Sequence, residues 1–169
     1  MAPPVWAVGQ VLTASDVNTW LVPGAVVKPA DTQRSATTTM TADPDLVIAV
    51  TANATYYISG VIFYGGVNGT PGTDGLKCTF AVPASTTGQL FNNHMNLSQT
   101  FTQPLATNWT DTTTAGTTGV ANIFCLGISG SLLTAGTAGN LTFQWAQAAS
   151  NGTNLTIKAN SFLVAQRIG

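Results

Sequence analysis

Hydrophobic positions along the 169-residue chain fall into two regimes. Up to residue 45 they are sparse. Residues 1–10 read as an extended, proline-started arm carrying Val5, Trp6 and Val8. Thr13-Ala14-Ser15-Asp16 then opens a short helix, with Thr13 as cap and Asp16 three residues on as the acid of a capping box. Pro23-Gly24 ends it, so the predicted span is Ala14 to about Leu21. Val17, Trp20 and Leu21 share one face of it at i, i+3, i+4 spacing. So short a helix is unstable alone in water, and its apolar face must dock on this chain's body or on a partner. The polar stretch Asp31–Thr41 reads as a linker. The chain thus divides into an anchor, residues 1–45, and a body, residues 46–169.

From residue 46 the rhythm is that of strands. Asp43-Pro44-Asp45 reads as a turn, with both acids capping it, ahead of the apolar run Leu46–Val50. Thr55–Tyr64 is β-branched and aromatic on both faces, which places it centrally. Residues 65–75 form a loop by their glycines, proline and asparagine. In Leu76–Val82, Leu76, Cys78, Phe80 and Val82 point inward, with Lys77 and Thr79 outward. Gln89–Phe101 holds one or two strands, residues 104–119 read as a Thr/Gly loop, and Val120–Ile128 is a buried run. Leu132-Leu133 begins a short edge strand. Leu141, Phe143 and Trp145 alternate with Thr142, Gln144 and Ala146, a clear period of two. Leu155–Ile168 reads as one long strand, apolar on both faces in its later half, where Phe162, Val164 and Ile168 line the second face. A strand of that kind lies between two layers or against another subunit. Short strands separated by turns, without βαβ alternation or a fixed-period repeat, predict an all-β antiparallel sandwich or barrel.

Charge sharpens the picture. Only 7% of residues are charged, the net charge is −1, and all six acids are Asp. An ordinary soluble domain carries roughly 25%. No basic surface exists to neutralise a phosphate backbone, so nucleic-acid binding is excluded. With 44% hydrophobic residues the composition is wrong for disorder. So little net charge offers weak repulsion between copies, and the abundant Thr and Asn cover surface with neutral polar groups. The composition is that of a component of an assembly.

Catalytic chemistry has few candidates. His94, in a polar loop-like setting, is the sole histidine, and Ser129 in LGISGS misses a nucleophile elbow because Ser131 stands where glycine is needed. With no Glu a carboxylate pair is unpromising, and one His with two distant Cys cannot complete a zinc set. No enzyme activity, metal or cofactor is expected. Cys78 and Cys125 read as buried free thiols, although spacing alone leaves a disulfide open. Seven N-x-[ST] triplets, at Asn53, Asn68, Asn96, Asn108, Asn140, Asn151 and Asn154, follow from a Thr- and Asn-rich composition. MAPPVWAVGQ has no basic region or apolar run of signal-peptide length, and no stretch approaches the ~20 apolar residues of a membrane span. Synthesis in the cytoplasm without export by a standard route, and with no membrane partner, is expected.

The opening VWAVGQVLTASDVNTWLVP, the segment ADPDLVIAVTANATYYISGVIFYGG and the end GNLTFQWAQAASNGTNLTIKANSFLVAQRIG resemble small structural virion proteins of tailed actinobacteriophages, of the capsid decoration or minor tail type. The resemblance covers most of the chain, loosely over residues 85–140, and its motifs specify strands and turns rather than chemistry. It implies a trimeric β-sandwich of jelly-roll type on the virion surface. The expected partners are two further copies and the phage major capsid protein, or tail proteins. Val5, Trp6, Val17, Trp20 and Leu21 are the expected anchor, and Phe162, Val164 and Ile168 the expected trimer interface. One domain without a shaft favours capsid decoration over a fibre. The alternative is a minor tail protein or a carbohydrate-binding module using Trp109 or Tyr64.

Overall fold

Leu141, Phe143 and Trp145 are fully buried, so their alternation is the inward face of a strand. The same rule builds the rest of two packed sheets. The computed structural model describes residues 6–66, 75–95, 101–102, 108–117 and 122–169. A helical turn comes first, α1 (Ala14–Asp16), continued by a π-helical turn over Val17–Leu21. The strands are β1 (Gly24–Val27), β2 (Thr32–Arg34), β3 (Thr41–Val50), β4 (Thr55–Gly65), β5 (Leu76–Ala81), β6 (Thr87–Met95), β7 (Phe101–Thr102), β8 (Thr113–Ala115), β9 (Ile123–Leu133), β10 (Gly139–Gln147), β11 (Leu155–Ile157) and β12 (Phe162–Arg167).

Consecutive strands β3 to β10 divide between the sheets in jelly-roll order. The smaller sheet runs β3-β10-β5-β8, and the larger contains β4-β9-β6-β7. All recorded pairings are antiparallel. Between the layers lie Ile58, Ile62 and Tyr64 of β4, Leu126 and Leu132 of β9, and Leu163 of β12. Leu46, Leu76, Leu141, Phe143 and Trp145 face them from the smaller sheet, each with 0% of its surface exposed. The fold is an antiparallel β-sandwich.

Beyond the jelly roll, the larger sheet gains two interrupted strands. β11 and β12 both pair with the same edge of β4, at Ile157↔Tyr64 and Phe162↔Val61. The interruption is a turn with Asn160 in the left-handed region at φ +66. Ser161 bridges it: its hydroxyl accepts from Phe63 N at 3.0 Å and donates to Lys158 O at 2.8 Å. β1 pairs with β12 and β2 with β11, so the outermost strand repeats the break. There Lys28 N donates to Ser161 O and Asn160 N to Lys28 O. At the far end of the ladder Gly24 opposes Ala165, and Thr55 N donates to Gly169 O.

Several expectations are corrected. The long strand over Leu155–Ile168 is two strands, because the Lys158–Ser161 turn shifts its register. Asp43-Pro44-Asp45 lies inside β3, not in a turn before it. β3 is an edge strand paired only with β10, so Pro44 costs no ladder bond, and the register shifts opposite Thr142/Gln144. The capping part of that reading holds, since Asp43 Oδ1 accepts from Asp45 N and Leu46 N. The expected boundary between residues 45 and 46 falls within β3, and the Asp31–Thr41 stretch contains β2. Residues 104–119 contribute β8 and the buried Trp109. Thr79 is buried rather than outward, and Ile123 is 63% exposed in the run expected to be buried. Leu132 and Leu133 end the central strand β9 instead of starting an edge strand. The 67–74 part of the expected loop lies outside the described residues.

Candidate assembly surface

The outward positions of the larger sheet follow from its register. Val27, Phe162, Val61, Gly127 and Asn93 form one row across β1, β12, β4, β9 and β6. Ala25, Val164, Ser59, Ser129 and Phe91 form the next. Gln166, Tyr57, Ser131 and Gln89 follow, and Phe63 opposite Cys125 flanks the first row on its other side. Among these described outward positions there is no Asp, Lys or Arg. Val27 is 60% exposed and Tyr57 48%. A solvated sheet face ordinarily alternates to polar residues, whereas an extended exposed apolar patch marks an interaction site.

Two residues expected at a trimer interface stand in this face. Phe162 and Val164 are half-buried and point outward from β12. Ile168 lies beyond the end of that strand and is 49% exposed. The sheet thus brings Phe162 and Val164 into one surface with Val27, Val61 and Phe91, and leaves Ile168 at its margin. The outward members of β4 and β6 were missed from sequence. The apolar character of both faces of Thr55–Tyr64 was the signal that could have found them.

The second apolar feature is the N-terminal segment. Val8, Val11, Leu12, Leu21 and Val22 are all exposed. The capping box forms as the sequence predicts: Asp16 N donates to Thr13 Oγ1 at 3.1 Å, and Thr13 N to Asp16 Oδ2 at 3.0 Å. The Thr13 hydroxyl and amide hold the Asp16 carboxyl below the usual carboxylate range. The turn stands over the end of β12 and leaves a cleft of about 490 Å³, lined by Asn18, Val22, Ala49, Tyr56, Ala165 and Arg167. Of the expected anchor, Trp6 and Val17 are half-buried and Leu21 is exposed. Val5 and the side chain of Trp20 lie outside the described residues.

Other candidates change character. Trp109 is 2% exposed and Tyr64 0%, so neither is the exposed aromatic a sugar platform needs. Tyr64 donates its hydroxyl to Gly116 O at 3.1 Å, and burial pushes that phenol well above its ordinary range. His94 belongs to β6, paired with Thr102 and Leu126, not to a loop. Both cysteines are free: Cys78 is buried, whereas Cys125 is exposed on the outer sheet face, contrary to expectation. An odd position on β9 shares the outward side with Ser129, which is why burial fails there. Among the described residues no group of three or more His, Cys or Asp side chains could hold a metal ion. No described helix is long and apolar enough to cross a membrane.

No protein-family model matches this chain, and no curated protein matches it. Among solved structures it is similar, over 85% of its length and 38% of the other chain, to "Structure of infectious bursal disease virus Gx strain", at 8% identity and a TM-score of 0.27. It is similar over 86% of its length and 41% of the other chain to "Structure of infectious bursal disease virus Gt strain", at 10% identity and a TM-score of 0.17. The chain spans about two fifths of the length of those chains. The fold assignment rests on the strand order and not on these likenesses.

Proposed function

We propose that this protein is a non-enzymatic structural subunit of a viral particle. In the finer reading it is a homotrimeric capsid decoration protein of a tailed phage, facing outward on the head. The observation that carries it is the uncharged run of outward side chains on β1, β12, β4, β9 and β6, bounded at the β11–β12 turn by the Lys158–Asp31 pair. Five strands of outward side chains without one charge form a surface suited to burial against another uncharged surface. Burying several of them at ~1.5–3 kcal/mol per large apolar side chain is enough to hold subunits together. The exposed apolar residues of the N-terminal segment supply a separate attachment to the capsid lattice. The resemblance of the sequence to virion proteins of actinobacteriophages supports the same reading. A carbohydrate-binding role loses its two aromatic candidates to the core.

Sedimentation of the purified chain is the test. The expected result is a trimer at micromolar concentration, reduced to folded monomer by Val164→Asp on the outward side of β12. A stable wild-type monomer would overturn the trimer, and a trimer indifferent to Val164→Asp would move its interface off this sheet face.

A further inference from the structure

The assembly reading makes no use of a cluster of charges where the broken strand β1–β2 meets β3. Lys28 is completely buried, and its Nζ lies 2.9 Å from Asp43 Oδ1 and 2.7 Å from Asp45 Oδ2. The Asp43 side chain is likewise inaccessible, while that of Asp45 is 29% exposed. Asp43 is held on both oxygens. Its Oδ1 accepts from the backbone amides of Asp45 at 3.1 Å and Leu46 at 3.3 Å, and its Oδ2 accepts from Trp145 Nε1 at 3.0 Å. Trp145 is itself fully buried, with the Arg34 guanidinium 4.0 Å from its ring centroid.

A plain ion pair does not require this arrangement. Burying paired charges rarely stabilises more than apolar residues of the same size would. Here a primary amine is fixed against a carboxyl group, both of them inaccessible to water. Backbone N–H groups sit on one carboxyl oxygen, an indole N–H sits on the other, and a second carboxylate touches the amine. Those are the parts of an acyl-transfer site: a positioned nucleophile, a polarised carbonyl, oxyanion donors and a proton carrier.

We infer that Lys28 and Asp43 join in a self-catalysed isopeptide bond, with Asp45 carrying the proton. The reacting forms are amine and carboxylic acid, reached when the Asp45 carboxylate, 2.7 Å from Nζ, takes the ammonium proton and passes it to Asp43 Oδ2. The Nζ lone pair attacks Asp43 Cγ, and the carbonyl electrons move onto Oδ1, where the Asp45 and Leu46 amides hold them. The Asp45 carboxylate takes a proton from the adduct nitrogen and delivers it to the hydroxyl at Oδ2. The carbonyl re-forms, the C–O bond breaks, and that oxygen leaves as water. One ammonium and one carboxylate become one amide and one water, with no further reactant. Asp45 and Arg34 remain as a balanced pair of charges. The bond would tie the outermost strand of the larger sheet to the edge strand of the smaller one.

The mass of the purified full-length chain, taken under denaturing conditions, tests this directly. The expected mass is one water below that of the sequence. Trypsin cleaves after Arg34 and not between Lys28 and Pro29, so fragment 1–34 should stay joined to fragment 35–77. Fragmentation should place the link between Lys28 and Asp43. Asp45→Asn, with folding verified by circular dichroism, should retain the full mass and give two separate fragments. A wild-type chain of full mass would overturn the proposal, as would a water lost elsewhere, for instance as a succinimide. An Asp45→Asn chain linked as completely as wild type would remove Asp45 from the reaction.

Discussion

Trp109 donates its indole N–H to the backbone carbonyl of Ser131 at 2.8 Å, pinning the segment before β8 against β9. Its ring meets Phe80 edge-on with centroids 5.3 Å apart, and its carbonyl accepts from Phe80 N. Trp109→Ala is expected to cost about 3–5 kcal/mol, the range for a truncated core aromatic, with an unpaired Ser131 carbonyl adding to it. Urea unfolding measures the loss. A change near zero would show that this indole is not part of the core.

Gly130 makes room for the same ring. A Cβ there would stand 2.3 Å from Gln89 O and 3.0 Å from Trp109 Cζ2. Because the nearer atom is backbone of the neighbouring strand, Gly130→Ala should destabilise by about 1–3 kcal/mol. An unaltered unfolding midpoint would mean that β6 and β9 separate without cost.

The two thiols should differ in reactivity. Burial raises the Cys78 thiol to about 12, and its side chain is inaccessible, whereas Cys125 is exposed. Only thiolate reacts, so maleimide at neutral pH should label the folded chain once and the unfolded chain twice. Digestion should place the single label on Cys125. Trimerisation through the sheet face should slow that label, which makes it a second readout of assembly.

Asp31 clamps the turn between β11 and β12. The Ala159 amide and the Lys158 ammonium, at 2.8 and 2.9 Å, hold its carboxyl below the usual carboxylate range. The unfolded chain therefore binds this proton first as pH falls. The stabilisation is complete above the ordinary Asp value of about 3.9 and is lost as pH drops through the lowered folded value. Asp31→Asn should melt below wild type at neutral pH, and the gap should close in acid. A gap independent of pH would exclude the carboxylate as its cause.

Removing residues 1–22 should leave the sandwich intact. None of the described side chains in 6–22 is buried, and β1 begins at Gly24. The truncated chain is expected to melt close to wild type and remain trimeric, yet fail to bind particles lacking it. Unfolding on truncation would show instead that the arm is part of the core.

Legibility from sequence followed burial. Strands with one wet and one dry face, such as Leu141–Trp145, could be read because alternation is the imprint of that environment. The capping box was equally plain, since Thr13 and Asp16 act within a single turn. What failed was long-range. Asp-Pro-Asp carries the local signature of a turn, and only Lys28 and Trp145, distant in sequence, hold it within a strand. Trp109 in a Thr/Gly stretch resembled an exposed aromatic because its acceptor, Ser131, lies on another strand. The outer face was half legible. Phe162 and Val164 announced it, but its extent required the register of β4, β9 and β6.

The ladder that sets Gly24 opposite Ala165, and Gly169 against Thr55, also decides where cargo could be carried. Any peptide joined after Gly169 leaves the sandwich beside the N-terminal segment, on the side where attachment is proposed. A displayed antigen or affinity tag there would crowd that proposed contact. The opposite end, where β4 runs out at Gly65, is the place to insert one.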